Sequence, residues 1–290
     1  MTRFNIDTCA LLVEFNASVW TARKLDKKTT DEVVSSKNAA AKDAARVNKH
    51  LLAGRNELDV IQTYIGSVRT FVYENTMPWS DNGLRLLPTT FFMEFSKRMH
   101  NSEDTFFSYV EDFIKVYPSL ITAQAMALGD MFRRDDYPSP DELQNKFAFK
   151  VNYMPVPTAG DFRVDVGNDA QKELQDKLNK LADERVDSAM QDIRERLKTH
   201  LVRMQDRLGY DNVDGESKTR KFHDSLVTGA LELCDMIKHL NIVGDTELEQ
   251  ARAGLAQALS GVDAKELRNN MSVREDVRKN VDALIDKFSF

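Results

Sequence analysis

Glycine and proline are scarce in this 290-residue chain, at 12 and 7 residues. That scarcity excludes an architecture of many short strands joined by tight turns. Neither GxxxxGK[ST] nor GxGxxG occurs, so the backbone N–H cradle that holds a nucleotide's phosphates is missing. Cysteine is limited to Cys9 and Cys234. They stand far apart without CxxC or Cys/His spacing, which points to reduced thiols in a cytoplasmic protein. His50, His100, His200, His223 and His239 are scattered and form no HExxH, so no metal and no other cofactor is expected. No GxSxG is present, and the acidic pairs Asp135–Asp136 and Asp161/Asp165 fall at expected loop or strand edges. No catalytic residue is assigned, and the chain reads as a non-enzyme. The longest uncharged stretch, Val116 to Gly129, is too short for a bilayer, and Arg3, Asp7 and Glu14 break up the start of the chain. Neither a membrane span nor a secretory signal is expected.

What is present is 42% hydrophobic and 30% charged residues with a net charge of −6. A sizeable core is available, and there is no global attraction to nucleic acid or to anionic membranes. The pattern predicts a mainly α-helical, α+β protein. In residues 11 to 20, Val13, Phe15, Ala17 and Val19 alternate with polar positions, which reads as a strand, although Leu11, Leu12, Phe15 and Val19 also fit a helical face. A helix is expected over 30–54, with Ala40, Ala41, Ala44, Val47, Leu51 and Leu52 on its stripe and Gly54 as its stop. A second helix runs from about Asn56 to Asn75, and residues 77–88 form a loop. Three shorter helices follow, marked by Phe91 to Met99, by Phe106 to Tyr117, and by a third opening at Pro118. Their phenylalanines make an aromatic core. Residues 147–153 and 162–166 alternate as a hairpin, which needs a third strand, and 11–20 is the candidate.

From Asn168 to Leu208 the chain holds no Pro or Gly, and Ala182, Val186, Met190, Ile193, Leu197, Leu201, Met204 and Leu208 step by three and four. The eleven-residue repeat within that set means a nearly straight helix of roughly 60 Å. Residues 211–218 turn the chain, and Phe222 to Leu240 mark a returning antiparallel helix. Two further helices close the chain, the last opened by a Ser272/Glu275 capping box. The expected organisation is an α+β domain over 1–167 with an aromatic core, then a helical domain over 168–290. The latter holds a long coiled-coil-like hairpin (168–241) and two closing helices.

Candidate sites follow from this layout. Met190, Leu197, Leu201 and Met204 widen the stripe beyond the seam that one partner helix covers, so they are candidate partner-binding residues, whether for self-assembly into an oligomer or for another protein. Trp79, in Pro78-Trp79-Ser80-Asp81-Asn82-Gly83, is a candidate interface anchor, or folds back as a lid on the phenylalanine cluster. The alternative is phosphate or nucleic-acid contact through a basic tip of Arg203, Arg207, Lys218, Arg220 and Lys221. Stacking aromatics are nearly absent there, so nucleic-acid binding is expected to be weak.

The segment Val19-Trp20-Thr21-Ala22-Arg23-Lys24-Leu25 resembles the opening of a family of uncharacterised phage and bacterial proteins. That family is a domain of unknown function with about this length and helical continuations. Some members are encoded near AAA+ ATPases of the MoxR/CobS type. The resemblance implies an accessory role in an ATP-driven complex, in the host cytoplasm if the chain is phage-encoded, and carries over no catalytic residue. The expected function is protein interaction or assembly.

Overall fold

The structure, a computed structural model, describes residues 6–41, 43–157, 168–213 and 216–288. It is an α+β protein. The chain runs α1 (Ile6–Cys9), β1 (Ala10–Ser18), β2 (Arg23–Leu25), α2 (Lys27–Ser36), β3 (Asn48–His50), α3 (Glu57–Glu74), β4 (Met77–Pro78) and β5 (Arg85–Pro88). It continues through α4 (Phe92–Leu128), α5 (Pro140–Gln144), β6 (Ala148–Pro155), α6 (Asn168–Arg207), β7 (Tyr210–Val213) and β8 (Glu216–Thr219). Helices α7 (Ser225–Leu240), α8 (Thr246–Ala258), α9 (Ala264–Asn269) and α10 (Met271–Lys287) complete it.

The expected strand at 11–20 is β1, in an antiparallel sheet of order β4-β5-β1-β6. The register Ala10↔Pro88 through Val13↔Arg85 places β5 on one side of β1. Residues 77–88, expected as loop, therefore supply two strands around a turn in which Gly83 takes φ +87°. The expected partner strand at 162–166 lies outside the described residues.

Two compact units emerge from the contacts. The first joins Met1–Glu14, Val72–Phe95 and Asn152–Phe290; the second joins Phe15–Phe71 and Ser96–Val151. The packing thus groups 168–290 with 1–14 and 72–95, rather than separating the chain at 167/168.

In the first unit α6 is the spine. Ala189, Met190, Ile193, Leu197, Leu201, Met204 and Leu208 are all buried, packed by β4, α7 and α10. Helix α7 returns antiparallel to α6: His200 Nε2 lies 3.2 Å from Leu226 O, and Arg194 reaches Asp245, beyond the far end of α7, at 2.5 Å. This is no two-helix coiled coil, because a sheet edge and a third helix share the stripe. The turn at 211–218 is the two-stranded β7–β8 hairpin, with Tyr210 opposite Thr219. Asn270, not Ser272, caps α10, its side chain accepting from Ser272 N and Val273 N. Glu275 instead accepts from the Tyr210 hydroxyl at 3.2 Å.

The second unit corrects two helix assignments. The alanine-rich helix expected over 30–54 stops at Ser36, and Asn38 turns left-handed at φ +49°. Residues 48–50 pair with β2 instead, because tertiary pairing and burial outweigh the few tenths of a kcal/mol per residue that alanine propensity offers. The three helices expected after residue 90 are one helix, α4, with Pro118 inside it. Tyr117, Leu120 and Ile121 are buried on either side of the proline, so packing holds the helix through the lost hydrogen bond. The aromatic core is divided. Phe106 and Phe113 pack on Phe147 and Phe149 in the second unit. Phe91 packs on Phe95 and His239 in the first.

Arg274 is the largest fully buried side chain, 1% exposed. It has no carboxylate partner among the described residues. Its guanidinium donates instead to the carbonyls of Arg207, Leu208, Gly209 and Arg220 at 2.8–3.3 Å. The first three oxygens close the C-terminus of α6, where unpaired carbonyls and the macrodipole present negative charge to a cation, and the fourth follows β8. Burial lowers the Arg274 pKa below the usual arginine range, and Phe222 stacks 5.4 Å beneath the guanidinium. Arg274→Met should lower the unfolding free energy of this unit by about 3 kcal/mol, since it orphans several buried acceptors at once. Urea unfolding followed by circular dichroism checks this; an unchanged midpoint would show the cage to be dispensable.

Candidate functional site

The feature with chemical potential lies in the second unit and begins with a two-residue alternation. Strands β2 and β3 pair Arg23 with His50 and Lys24 with Lys49. Successive side chains of a strand face opposite ways, so the pair has one lysine face and one arginine–histidine face. On the lysine face Lys49 is internal, while Lys24 keeps half of its side chain in solvent. Lys49 is buried, donates to Met131 O at 2.9 Å and ion-pairs with Asp136, while Lys24 reaches the same carboxylate at 3.3 Å. Burial by itself would raise the Asp136 pKa; hydrogen bonds and charge from Lys49 and Lys24 outweigh it and hold the carboxyl below its ordinary value of 3.8.

The opposite face opens onto a groove of about 680 Å³. One wall is the stretch Ala17 to Arg23, and the other is one face of α3 carrying Leu58, Asp59, Gln62, Ile65 and Arg69. Trp20 anchors the first wall from behind, edge-on to Tyr117 at 5.7 Å. Ala22, buried and left-handed at φ +51°, turns the chain into β2, and its carbonyl accepts from Leu51 N at 2.7 Å. A non-glycine residue in that region costs on the order of 1–2 kcal/mol, which the surrounding packing must hold. Arg69 ties the two walls together by donating to Ala17 O at 3.0 Å.

Charge sets the character of the groove. Arg23, His50, Arg55 and Arg69 are exposed along it, and Asp59 is the single acid among the described residues that line it. Three arginines against one aspartate leave two net positive charges with His50 neutral, in a chain of net charge −6. Arg23, His50 and Arg55 make no side-chain hydrogen bond or ion pair with any described residue. Leu52, Leu58 and Ile65 are buried and form an apolar floor. Unpaired guanidinium groups above an apolar floor can recognise carboxylate or phosphate oxygens in forked geometry.

No family model, no curated protein and no solved structure matches this chain.

The residues singled out in the sequence land elsewhere. Met190, Leu197, Leu201 and Met204 are at most 3% exposed, so the proposed partner-binding stripe is the core of the first unit. Trp79 is 5% exposed, folded back among Met77, Leu86 and the α6 stripe, with the Arg185 guanidinium 5.2 Å above its ring. Of the basic tip, Arg220 is engaged by Asp206 and Asp211, and Arg207 lies 3.6 Å from Asp206. Arg203, Lys218 and Lys221 are exposed. Among the described residues no three His, Cys, Asp or Glu side chains cluster to hold an ion, and no helix is long and apolar enough to cross a membrane. Cys9 and Cys234 are free thiols, the latter pushed up to about 11 by burial.

No spacing in the sequence announces the groove, because its three arginines and its histidine come from four separated places, Arg23, His50, Arg55 and Arg69. The available signal was the run Val19 to Leu25, of which Val19, Thr21, Ala22 and Arg23 line the groove. Asp136, whose sequence context is that of an ordinary loop charge, is the ion-pair centre behind it.

Asp136→Asn should destabilise the protein by about 3 kcal/mol, because it leaves Lys49 buried beside a neutral amide. The pH dependence follows from the sign of the shift. With the folded-state pKa of Asp136 below the unfolded one, its stabilisation is complete above about pH 5 and is lost as pH falls through the folded value. Urea midpoints between pH 7 and pH 3 should therefore fall less steeply for Asp136→Asn than for wild type. Parallel acid limbs would mean that the triad contributes nothing.

Proposed function

We propose that this protein is a non-enzymatic interaction protein that docks an acidic segment of a partner protein in the groove beside α3. The observation that carries the reading is the cationic rim itself: three arginines and a histidine, mostly without internal partners, on an acidic chain. Solvated arginines with no internal role are ready to exchange water for carboxylates, and such charge complementarity speeds encounter and selects partners. The groove is open, with Arg23, His50, Arg55 and Arg69 all exposed. A small-molecule pocket ordinarily buries most of its ligand, so this shape favours a polypeptide. Its lining contains no Phe, Tyr or Trp, so bases would have nothing to stack on, and this disfavours single-stranded nucleic acid. The interaction reading thus moves from the buried α6 stripe to α3. It also suits the accessory role implied by the resemblance at Val19 to Leu25, in which a partner such as an AAA+ ATPase would supply the acidic segment.

Fluorescence anisotropy with a labelled, glutamate-rich dodecapeptide at physiological salt tests the proposal. Binding in the micromolar range is expected, and Arg55→Glu, with its fold verified by circular dichroism, should weaken it at least about tenfold, the factor that corresponds to about 1.4 kcal/mol. Wild-type affinity in that folded variant, or tighter binding of an oligothymidylate than of the peptide at the same salt, would overturn the reading.

A further inference from the structure

The groove has two cationic ends and an uncharged middle. At one end, Arg23 and His50 are cross-strand neighbours, and Arg55 follows His50 closely, two residues before α3 begins. At the other end stands Arg69, bonded to Ala17 O. The two walls run in opposite directions: Ala17 lies beside the late part of α3, and Arg23 sits in the strand pair whose exit, His50 to Arg55, leads into its start. Leu58 to Arg69 climbs about 16 Å along the helix at ~1.5 Å per residue. The arginine side chains extend that span at both ends. Between them lie Leu58, Gln62 and Ile65, with Asp59 on the rim.

We propose that the groove selects an extended acidic segment with two carboxylates about six residues apart and small apolar residues between them. This rests on the reading given under Proposed function and specifies its ligand. Six residues of extended chain cover roughly 20 Å at ~3.3 Å per residue, which spans the two cationic ends. An even spacing keeps both carboxylates on the same face of the segment. The apolar middle rests on the exposed edge of Leu58, with Ile65 packed beneath, and the Gln62 amide can bond its backbone. A helical segment of the same composition would set its carboxylates only about 9 Å apart at ~1.5 Å per residue and could not engage both ends.

The test compares two labelled decapeptides of equal charge on the wild-type protein. One carries Glu at positions 2 and 8 with Ala and Val between; the other carries Glu at positions 4 and 6. The wide peptide should bind more tightly by up to about fivefold, the upper value of one additional charged contact near a surface. That preference should vanish in Arg69→Gln, while the narrow peptide's affinity changes little. Equal affinities on wild type, with the glutamate-rich dodecapeptide still bound, would overturn the spacing and leave the acidic-segment reading intact. No binding of any of the three peptides would overturn both. A preference retained in a folded Arg69→Gln protein would show that Arg69 is not the second anchor and overturn the two-ended arrangement.

Discussion

The apolar stripe of α6 is the constraint on which the first unit depends. Seven side chains from Ala189 to Leu208 must leave water together, and burying each large one is worth about 1.5–3 kcal/mol. Helix α7, with 16 residues, covers only part of a 40-residue helix. The remainder draws in α10 and the short strand β4, and with β4 come β5 and the start of β1 in the same sheet. This is why the first 14 residues belong to the unit that contains α6. It is also why residues that look like surplus interface are core.

Buried cations fasten each unit at places where apolar packing alone would leave polar groups stranded. Arg274 satisfies the carbonyl end of α6 without any carboxylate among the described residues. Arg85 and Arg196 both donate to Thr76 O at 2.9 Å. Burial, aided by the neighbouring Arg196 charge, brings the Arg85 pKa down to about 10. In the second unit Lys49 and Lys24 share Asp136. Full solvation is the alternative for each of these charges, so each persists only where acceptors converge at hydrogen-bonding distance.

The strand pair β2–β3 shows how structure and recognition can share one short element. Buried Lys49 and half-exposed Lys24 fix the pair to Asp136, and Arg23 and His50 on the opposite face are thereby held side by side in solvent. A one-residue slip in register would exchange the two faces, turning Arg23 and His50 toward the interior and Lys49 out of it. The ion pair on one face therefore determines whether the other face has a binding character at all.

Local pattern was enough to reveal α3, α6 and α7, because each has a long or clean hydrophobic period and few breakers; it favoured a strand at β1, but Leu11, Leu12, Phe15 and Val19 also fit a helical face, and only the pairing with β5 decides it. The same pattern misplaced 30–54 and divided α4, since alanine propensity and a proline are weak signals beside a strand pairing at Lys49 or a buried Tyr117. It also could not tell a stripe that binds a partner from one that the chain covers itself; Met190 and Leu201 have the same period in either case. Arg23, His50, Arg55 and Arg69 carry no spacing that announces a site. Only the tertiary structure brings them together, because the antiparallel register and the rise of α3 are long-range geometry, set by burial on the far side of each element.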